Sequence, residues 1–291
     1  MANHIIRKGE EVPVLVLDPG HKGERYNISP ANSKYAESAV MWDFYKLLKK
    51  YVEEYGIKVI CTRDNIDEDP SLSTRGKTAQ KGDLFISLHS NAVGSKVNES
   101  IDYVAVYHLT NDTTVTCDNL SKEFAGMLAP VVAEVMGTKQ GYRITSRLAT
   151  YDSNHDGKMN DNYYGVLNGA RKVLRPGVIV EHSFHTQTRA TNWLLNRNNL
   201  IKLAKAEAKV IAKWFGMDKL FENFKVKVDI KYLNMRTGPS TSYDRIDYIP
   251  MGTYTIVEVS EDGKWGRLKS QQSYKGRLVD AWISLSYTKR V

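Results

Sequence analysis

Cysteine and long apolar runs are both scarce in this sequence of 291 residues. Its two cysteines, Cys61 and Cys117, are too few for a disulfide framework, and we expect both to be reduced thiols. No apolar run approaches the roughly 18 residues of a membrane-spanning helix, and the mean hydropathy is -0.43, which excludes an integral membrane protein. Apolar residues make up 42% and charged residues 25% of the chain, a balance that excludes disordered and fibrous classes.

The N-terminal region also lacks the features of a secretory signal peptide. Such a peptide contains an apolar stretch of about 7–15 residues, whereas here charges interrupt the sequence at Arg7, Lys8, Glu10 and Glu11. We therefore expect synthesis in a cytoplasm without a signal peptide, and no stable membrane association.

Positive charge, in contrast, is in excess, with a formal net charge of +8. The segment 225–291 holds much of it, because it contains 12 Lys and Arg against 7 Asp and Glu. A basic surface of this kind suits nucleic acid, anionic lipid or an anionic cell-wall polymer. The charge alone does not choose among these partners.

The first three quarters of the chain alternate apolar strands with amphipathic helices, which predicts a mixed α/β domain with a β-sheet flanked by helices. The predicted strands cover 14–17, 57–61, 83–88, 101–108 and 178–180, and the predicted helices cover 35–55, 73–80, 118–136 and 189–215.

Short alternating segments separated by Gly and Pro turns follow, which predicts a small all-β domain. They lie at 225–230, 253–259, 264–268 and 281–283. We therefore expect a first domain over 1–217, a linker over 218–225 and an all-β domain over 226–291.

Three polar side chains stand where strands end or a helix begins. His21 follows the first strand, Glu37 opens the first helix and His89 follows the third strand. Because carboxyl ends of strands line the ligand crevice of an open α/β sheet, these side chains can converge. Two imidazoles and one carboxylate form the ligand set of a catalytic zinc, with the fourth position left for water. Spacing alone also permits the alternative that each histidine is a hydrogen-bonded turn residue.

Five ordered motifs favour the zinc interpretation: VLVLDPGHKG, YAESA, TRD, LSTRGKTAQKGDLFISLHSNA and PGVIVEHSFHT. In order and spacing, about residues 13–215 resemble the zinc-dependent N-acetylmuramoyl-L-alanine amidases (amidase type 3), which have a phosphorylase/hydrolase-like fold. The resemblance implies that His21, Glu37 and His89 bind zinc and that Glu181 is the catalytic carboxylate. The alternatives for Glu181 are a fourth metal ligand or a structural salt bridge.

The resemblance also suggests residues around the catalytic glutamate. His182 and His185 follow Glu181 where the family usually has apolar residues, so each is a candidate for contacting an oxyanion or a substrate carboxylate. The alternative is that they are histidines without substrate contact. We expect Arg75, which matches a family arginine, to form a structural ion pair.

A polar loop over 152–163 has some spacing of a calcium-binding loop, but its twelfth position is Tyr163 instead of a bidentate Glu. We therefore expect this loop to face substrate. Its candidate substrate-binding residues are Asn162, Tyr163 and Tyr164.

The all-β segment contains LNMRTGPS at 233–240 and Trp-bearing strands near 265 and 282, and it resembles a bacterial SH3-like domain. Such domains commonly bind peptidoglycan. The candidate wall-binding residues are Tyr232, Tyr243, Trp265 and Trp282, although the two tryptophans could instead be core residues. Single-stranded nucleic acid would also suit a basic aromatic surface, but the first domain disfavours nucleic acid as a partner.

Together these features predict a peptidoglycan hydrolase that acts in bacterial cell lysis, of the phage or prophage endolysin type, released through a separate membrane pore protein. Three alternatives remain: a zinc peptidase that cuts within the stem peptide, a sporulation amidase that acts in mother-cell lysis, and a non-catalytic wall-binding protein.

Overall fold

The computed structural model describes residues 12–110, 114–152, 161–217, 223–260 and 262–291. The chain divides into two compact units, Met1–Asp218 and Lys219–Val291. Among the described residues, no helix has the length and apolar content needed to cross a membrane.

A six-stranded mixed sheet forms the centre of the first unit. Its spatial order is β2-β1-β3-β6-β4-β5, and all neighbours are parallel except the antiparallel pair β4 and β6. The mixed α/β prediction is therefore confirmed. The strands are β1 (Val14–Pro19), β2 (Lys58–Cys61), β3 (Leu84–Asn91), β4 (Val104–His108), β5 (Tyr142–Thr145) and β6 (Gly177–Phe184).

Helices cover both faces of this sheet. Successive strand residues point to opposite faces, so the apolar side chains of one strand are buried in two separate cores. Leu15 and Leu17 belong to the larger apolar core, which contains α1, α3 and α6. Val16 belongs to a smaller core with α4 on the other face. The helices are α1 (Glu37–Glu53), α2 (Leu72–Lys77), α3 (Thr116–Met136), α4 (Gly165–Lys172), α5 (Thr188–Leu195) and α6 (Arg197–Trp214).

Two glycines allow α2 and α4 to approach each other backbone to backbone. A Cβ atom added to Gly76 would lie 2.0 Å from the carbonyl oxygen of Val166, and one added to Gly169 would lie 2.7 Å from the Gly76 Cα. This close contact holds the start of α4 beside α2 at the carboxyl end of the sheet.

The prediction of one long helix over 189–215 is wrong in one respect. The structure has two helices there, α5 and α6, which meet at Asn196. This residue has an extended ψ of 113°, and its side chain accepts hydrogen bonds from the backbone N–H groups of Asn198 and Asn199. An asparagine in this role begins a new helix. Strand β5 was not predicted, because its mostly exposed residues show no regular alternation.

The second unit is all-β, as predicted. Seven antiparallel strands follow the order β15-β7-β10-β11-β14-β8-β9, and β12 and β13 form a separate hairpin. Strand β7 begins at Phe224, inside the predicted linker, of which 218–222 lie outside the described residues. The strands are β7 (Phe224–Val228), β8 (Leu233–Arg236), β9 (Arg245–Ile249), β10 (Gly252–Val259), β11 (Trp265–Leu268), β12 (Gln272–Tyr274), β13 (Arg277–Val279), β14 (Trp282–Ser284) and β15 (Lys289–Arg290).

Candidate metal centre and active site

Three ligand-type side chains meet at the carboxyl ends of β1 and β3. His21 follows β1, Glu37 is the first residue of α1, and His89 lies near the end of β3. One ligating atom from each lies within 4.8 Å of the others. His21 has a φ of 58°, a left-handed conformation that costs energy outside glycine and is concentrated at functional sites.

The distances in this group suit a single metal ion. His21 Nε2 lies 3.2 Å from Glu37 Oε2, and His89 Nδ1 lies 2.9 Å from Glu37 Oε1. Around a tetrahedral zinc with bonds of about 2.1 Å, neighbouring ligand atoms are ~3.4 Å apart. The described residues therefore fit the group that the sequence predicts, both in donor type and in spacing.

Glu37 is held in place by two further donors. The backbone N–H of Ser90 donates to Oε1 at 3.0 Å, and the side-chain amide of Asn27 donates to Oε2 at 2.7 Å. Burial raises the pKa of Glu37, but hydrogen bonds and positive charge from His21 and His89 outweigh it and hold that pKa well below its ordinary value. Asn27 was not predicted as a site residue, because a polar residue in a turn carries no spacing signal.

Glu181 lies on β6, next to the metal group. Its Cα pairs in register with that of His89 on β3. Its Oε2 atom is buried and accepts no hydrogen bond among the described residues. Burial raises the pKa of Glu181 well above its ordinary value, and the negative charge of Glu37 raises it further. A carboxyl group of this kind beside a metal site is suited to exchanging protons with a substrate.

A cavity of about 320 Å³ lies next to the candidate metal ligands and Glu181. Glu181, His185 and the candidate metal ligands line it, together with Leu72 of α2 and Tyr164, the residue before α4. A carboxyl group, a candidate metal group and an apolar wall therefore face one space.

Of the three predicted loop residues, only Tyr164 lines this cavity. Tyr163 is 47% exposed, and the guanidinium of Arg147 lies 3.5 Å from the centre of its ring. Asn162 is 1% exposed, so the prediction of substrate contact is wrong for this side chain. Most of the predicted loop, 153–160, lies outside the described residues. The calcium-binding alternative falls on this part of the loop.

The two histidines after Glu181 have different surroundings. His185 lines the cavity, and its Nδ1 lies 2.9 Å from the carbonyl oxygen of Ser90. Burial lowers the pKa of His185. His182 is fully buried, and both of its ring nitrogens have partners within the protein. The prediction of substrate contact is wrong for His182, because side chains alternate along a strand and this one points away from the face of Glu181.

The predicted ion pair of Arg75 is confirmed. Its Nε donates to Oδ1 of the buried Asp18 at 2.7 Å, and its Nη2 donates to the carbonyl oxygen of Pro19 at 2.7 Å. Both partners lie at the end of β1, three and two residues before His21. The pair therefore fixes the strand end from which this candidate ligand projects.

In the second unit, the four candidate wall-binding residues do not share one site. Tyr232 and Trp265 line a cavity of about 490 Å³, and Tyr232 is 72% exposed. Tyr243 is 47% exposed but does not line that cavity. Trp282 is 8% exposed, so its indole is a core residue and the prediction of wall contact is wrong for it.

Residues 15–213 match the family model described as N-acetylmuramoyl-L-alanine amidase. The chain belongs to this amidase family. The family resemblance predicted from the motifs is therefore confirmed, and the chain is a peptidoglycan amidase. Residues 231–289 match the model of the bacterial SH3 domain, which supports binding to peptidoglycan. No curated protein matches the chain in sequence.

Solved structures share the fold of the first unit. Cwp6 from Clostridium difficile is 22% identical with a TM-score of 0.56; the match covers 70% of this chain and 29% of that one. The catalytic domain of CwlV, an N-acetylmuramoyl-L-alanine amidase from Bacillus (Paenibacillus) polymyxa, is 18% identical with a TM-score of 0.54, covering 71% of this chain and 99% of that one. The amidase AmiC2 of Nostoc punctiforme is 19% identical with a TM-score of 0.54, covering 72% and 99%.

Proposed function

We propose that this amidase holds one zinc ion with His21, Glu37 and His89 and hydrolyses the amide bond between N-acetylmuramic acid and L-alanine. The observation that carries the proposal is the approach of three ligating atoms to within 4.8 Å of one another, beside a buried Glu181 oxygen without a described hydrogen-bond partner.

The donor set determines the chemistry available. When bound, zinc lowers the pKa of a water molecule and polarises the carbonyl that the water attacks. Glu181 accepts the proton that the attacking water loses. It then donates this proton to the nitrogen of L-alanine as the amide bond breaks, which releases a carboxylate and an amine. The raised pKa of Glu181 suits a group that must both take and give a proton.

Other residues keep this arrangement rigid. Asn27 and Ser90 each donate to one oxygen of Glu37, so its carboxylate cannot rotate freely. Tyr164 and Leu72 add apolar surface to the lining of the cavity. We assign them contacts with the sugar or the stem peptide.

The second unit is proposed to hold the enzyme on the insoluble wall. Tyr232 and Trp265 offer aromatic surface in one cavity, and Arg236 and Lys264 line the same cavity. A basic, aromatic site suits a peptide or polymer that carries negative charge.

The proposed biological role is cell lysis of the endolysin type, in which the enzyme is made in a bacterial cytoplasm and reaches the wall through a separate pore protein. The presence of a hydrolase and a wall-binding unit in one chain supports this role. Expression inside a host with and without a pore protein tests it: we expect lysis only with the pore. Lysis at the same rate without a pore would contradict the proposed route.

Metal dependence is tested by removing zinc with a chelator and adding it back. We expect loss of hydrolysis on soluble muropeptides, full recovery with zinc, and one zinc per chain by elemental analysis. His21→Ala and His89→Ala should bind less zinc, whereas the distant His108→Ala should keep it. Full activity in protein shown to contain no metal would contradict the zinc proposal.

A further inference from the structure

A histidine and a glutamate form a buried pair on the face of the sheet opposite the cleft. His182 Nε2 lies 2.8 Å from Glu207 Oε1, and both side chains are 0% exposed. Glu207 comes from α6, and the ring of Phe44 on α1 packs edge-on against His182 at 5.0 Å between centroids. The pair is thus enclosed between the sheet and two helices.

The other nitrogen of this histidine contacts the backbone of a candidate metal ligand. His182 Nδ1 lies 2.8 Å from the carbonyl oxygen of His89. Because a carbonyl oxygen can only accept, Nδ1 carries the proton and donates it. The contact occurs where the pairing of β3 with β6 changes register, between His89 and Asn91.

Stability alone is a poor explanation for this pair. Buried polar pairs are often no more stabilising than apolar residues of the same volume. Here the second carboxylate oxygen, Glu207 Oε2, is buried and has no hydrogen-bond partner among the described residues. Such an unpaired buried oxygen lowers the stability of the folded protein. A role in fixing geometry accounts for both observations.

We propose that His182 and Glu207 are positioning residues for the metal centre: Glu207 orients His182, and His182 fixes the backbone of His89. This inference rests on the proposed zinc function. Partners beyond the direct ligands commonly change metal affinity about 10–100-fold when removed. The irregular register at this point leaves the His89 backbone more dependent on a side-chain donor than it would be in a regular ladder.

Two amide substitutions separate the two contacts of His182. Asparagine places its amide where Nδ1 stands, so His182→Asn keeps a donor for the His89 carbonyl and loses the contact with Glu207. Glutamine places its amide where Nε2 stands, so His182→Gln keeps the contact with Glu207 and loses the donor to His89. Both variants leave a buried amide, which makes each a control for the other.

The measurement is the zinc dissociation constant of the full chain, by competition with a chromophoric chelator, together with thermal unfolding of the zinc-free protein. We expect His182→Gln to weaken zinc binding about 10–100-fold, His182→Asn to weaken it less than His182→Gln does, and both to unfold at similar temperatures. Equal zinc affinities in the two variants, or weaker binding in His182→Asn, would overturn the inference.

A second pair of variants keeps the test decisive if His182→Gln does not fold. Glu207→Gln can still hydrogen-bond to His182, whereas Glu207→Ala cannot. We expect weaker zinc binding in Glu207→Ala only, and equal affinities in both would overturn the inference. Wild-type protein that bound no zinc would overturn the proposed function and this inference with it, whereas equal variants of a zinc-binding wild type would overturn the inference alone.

Discussion

Gly20→Ala is expected to disable the metal centre while leaving the fold intact. Gly20 lies directly before His21, and its backbone N–H donates to the carbonyl oxygen of Leu88. A Cβ atom at this position would lie 2.4 Å from Cε1, 2.6 Å from Nδ1 and 2.8 Å from Nε2 of His89. The added methyl group therefore meets the imidazole ring of a candidate ligand face on.

The size of the effect follows from these distances. Ordinary van der Waals contact begins near 3.4 Å, so the ring of His89 must move by about 1 Å. Zinc–nitrogen bonds tolerate only ~0.2 Å of variation, and a misplacement of about 1 Å at a reacting centre can cost 100-fold in rate. We expect zinc affinity to fall about 10–100-fold and kcat/KM to fall at least ~100-fold.

The assay combines zinc affinity, hydrolysis of soluble muropeptides and thermal unfolding. Gly126→Ala is the matched control, because a Cβ on this helical glycine meets nothing within 4 Å and should stabilise the helix by about 0.5–1 kcal/mol. Unchanged zinc affinity and activity in Gly20→Ala would refute the placement of His89 as a ligand beside Gly20.

Three further outcomes are expected. Glu181→Gln should retain zinc and lose about 100- to 10,000-fold in kcat; loss of zinc would instead make Glu181 a ligand. Arg189→Met should lower the free energy of unfolding by ~1–3 kcal/mol at pH 7, because it removes the partner of the Asp102 carboxylate. Burial raises the pKa of Asp102, but hydrogen bonds and charge, chiefly from Arg189, outweigh burial and lower that pKa. A depressed pKa gives stability that is present above the unfolded value of about 3.9 and lost as pH falls through the folded pKa, so melts of the two proteins should converge below about pH 4, and a gap that stays constant would argue against the ion pair as its source. Trp265→Ala should weaken binding to isolated walls without changing hydrolysis of soluble muropeptides, and unchanged wall binding in a sedimentation assay would exclude this cavity as the wall site.

The metal group could be predicted from sequence because strand ends in an α/β sheet meet at one edge. Position alone left each histidine open as a turn residue, and the resemblance carried by the five motifs assigned His21, Glu37 and His89 to the metal. The same alternation of side chains that places Glu181 in the cleft places His182 on the far face. Because Glu181 and His182 are adjacent in one motif, the sequence analysis assigned both to the substrate side. The two-residue period of a strand places them on opposite faces.

The remaining errors have local causes. Asn196 interrupts a continuous amphipathic pattern through its own side-chain bonds, which the apolar period does not reveal. Asn27 enters the site through a turn with a φ of 53°, a conformation that tertiary contacts select. In the second unit, β8 and β9 are four and five residues long, too short for alternation to distinguish them from turns.

Analysis of purified peptidoglycan after digestion distinguishes an amidase from a peptidase or a glycosidase. Mass spectrometry of the products, with labelling of new amino groups, identifies the bond that breaks. We expect new free amines on L-alanine alone, intact glycan strands with no new reducing ends, and no products from zinc-free protein. New amines within the stem peptide, or new reducing sugars, would contradict this expectation.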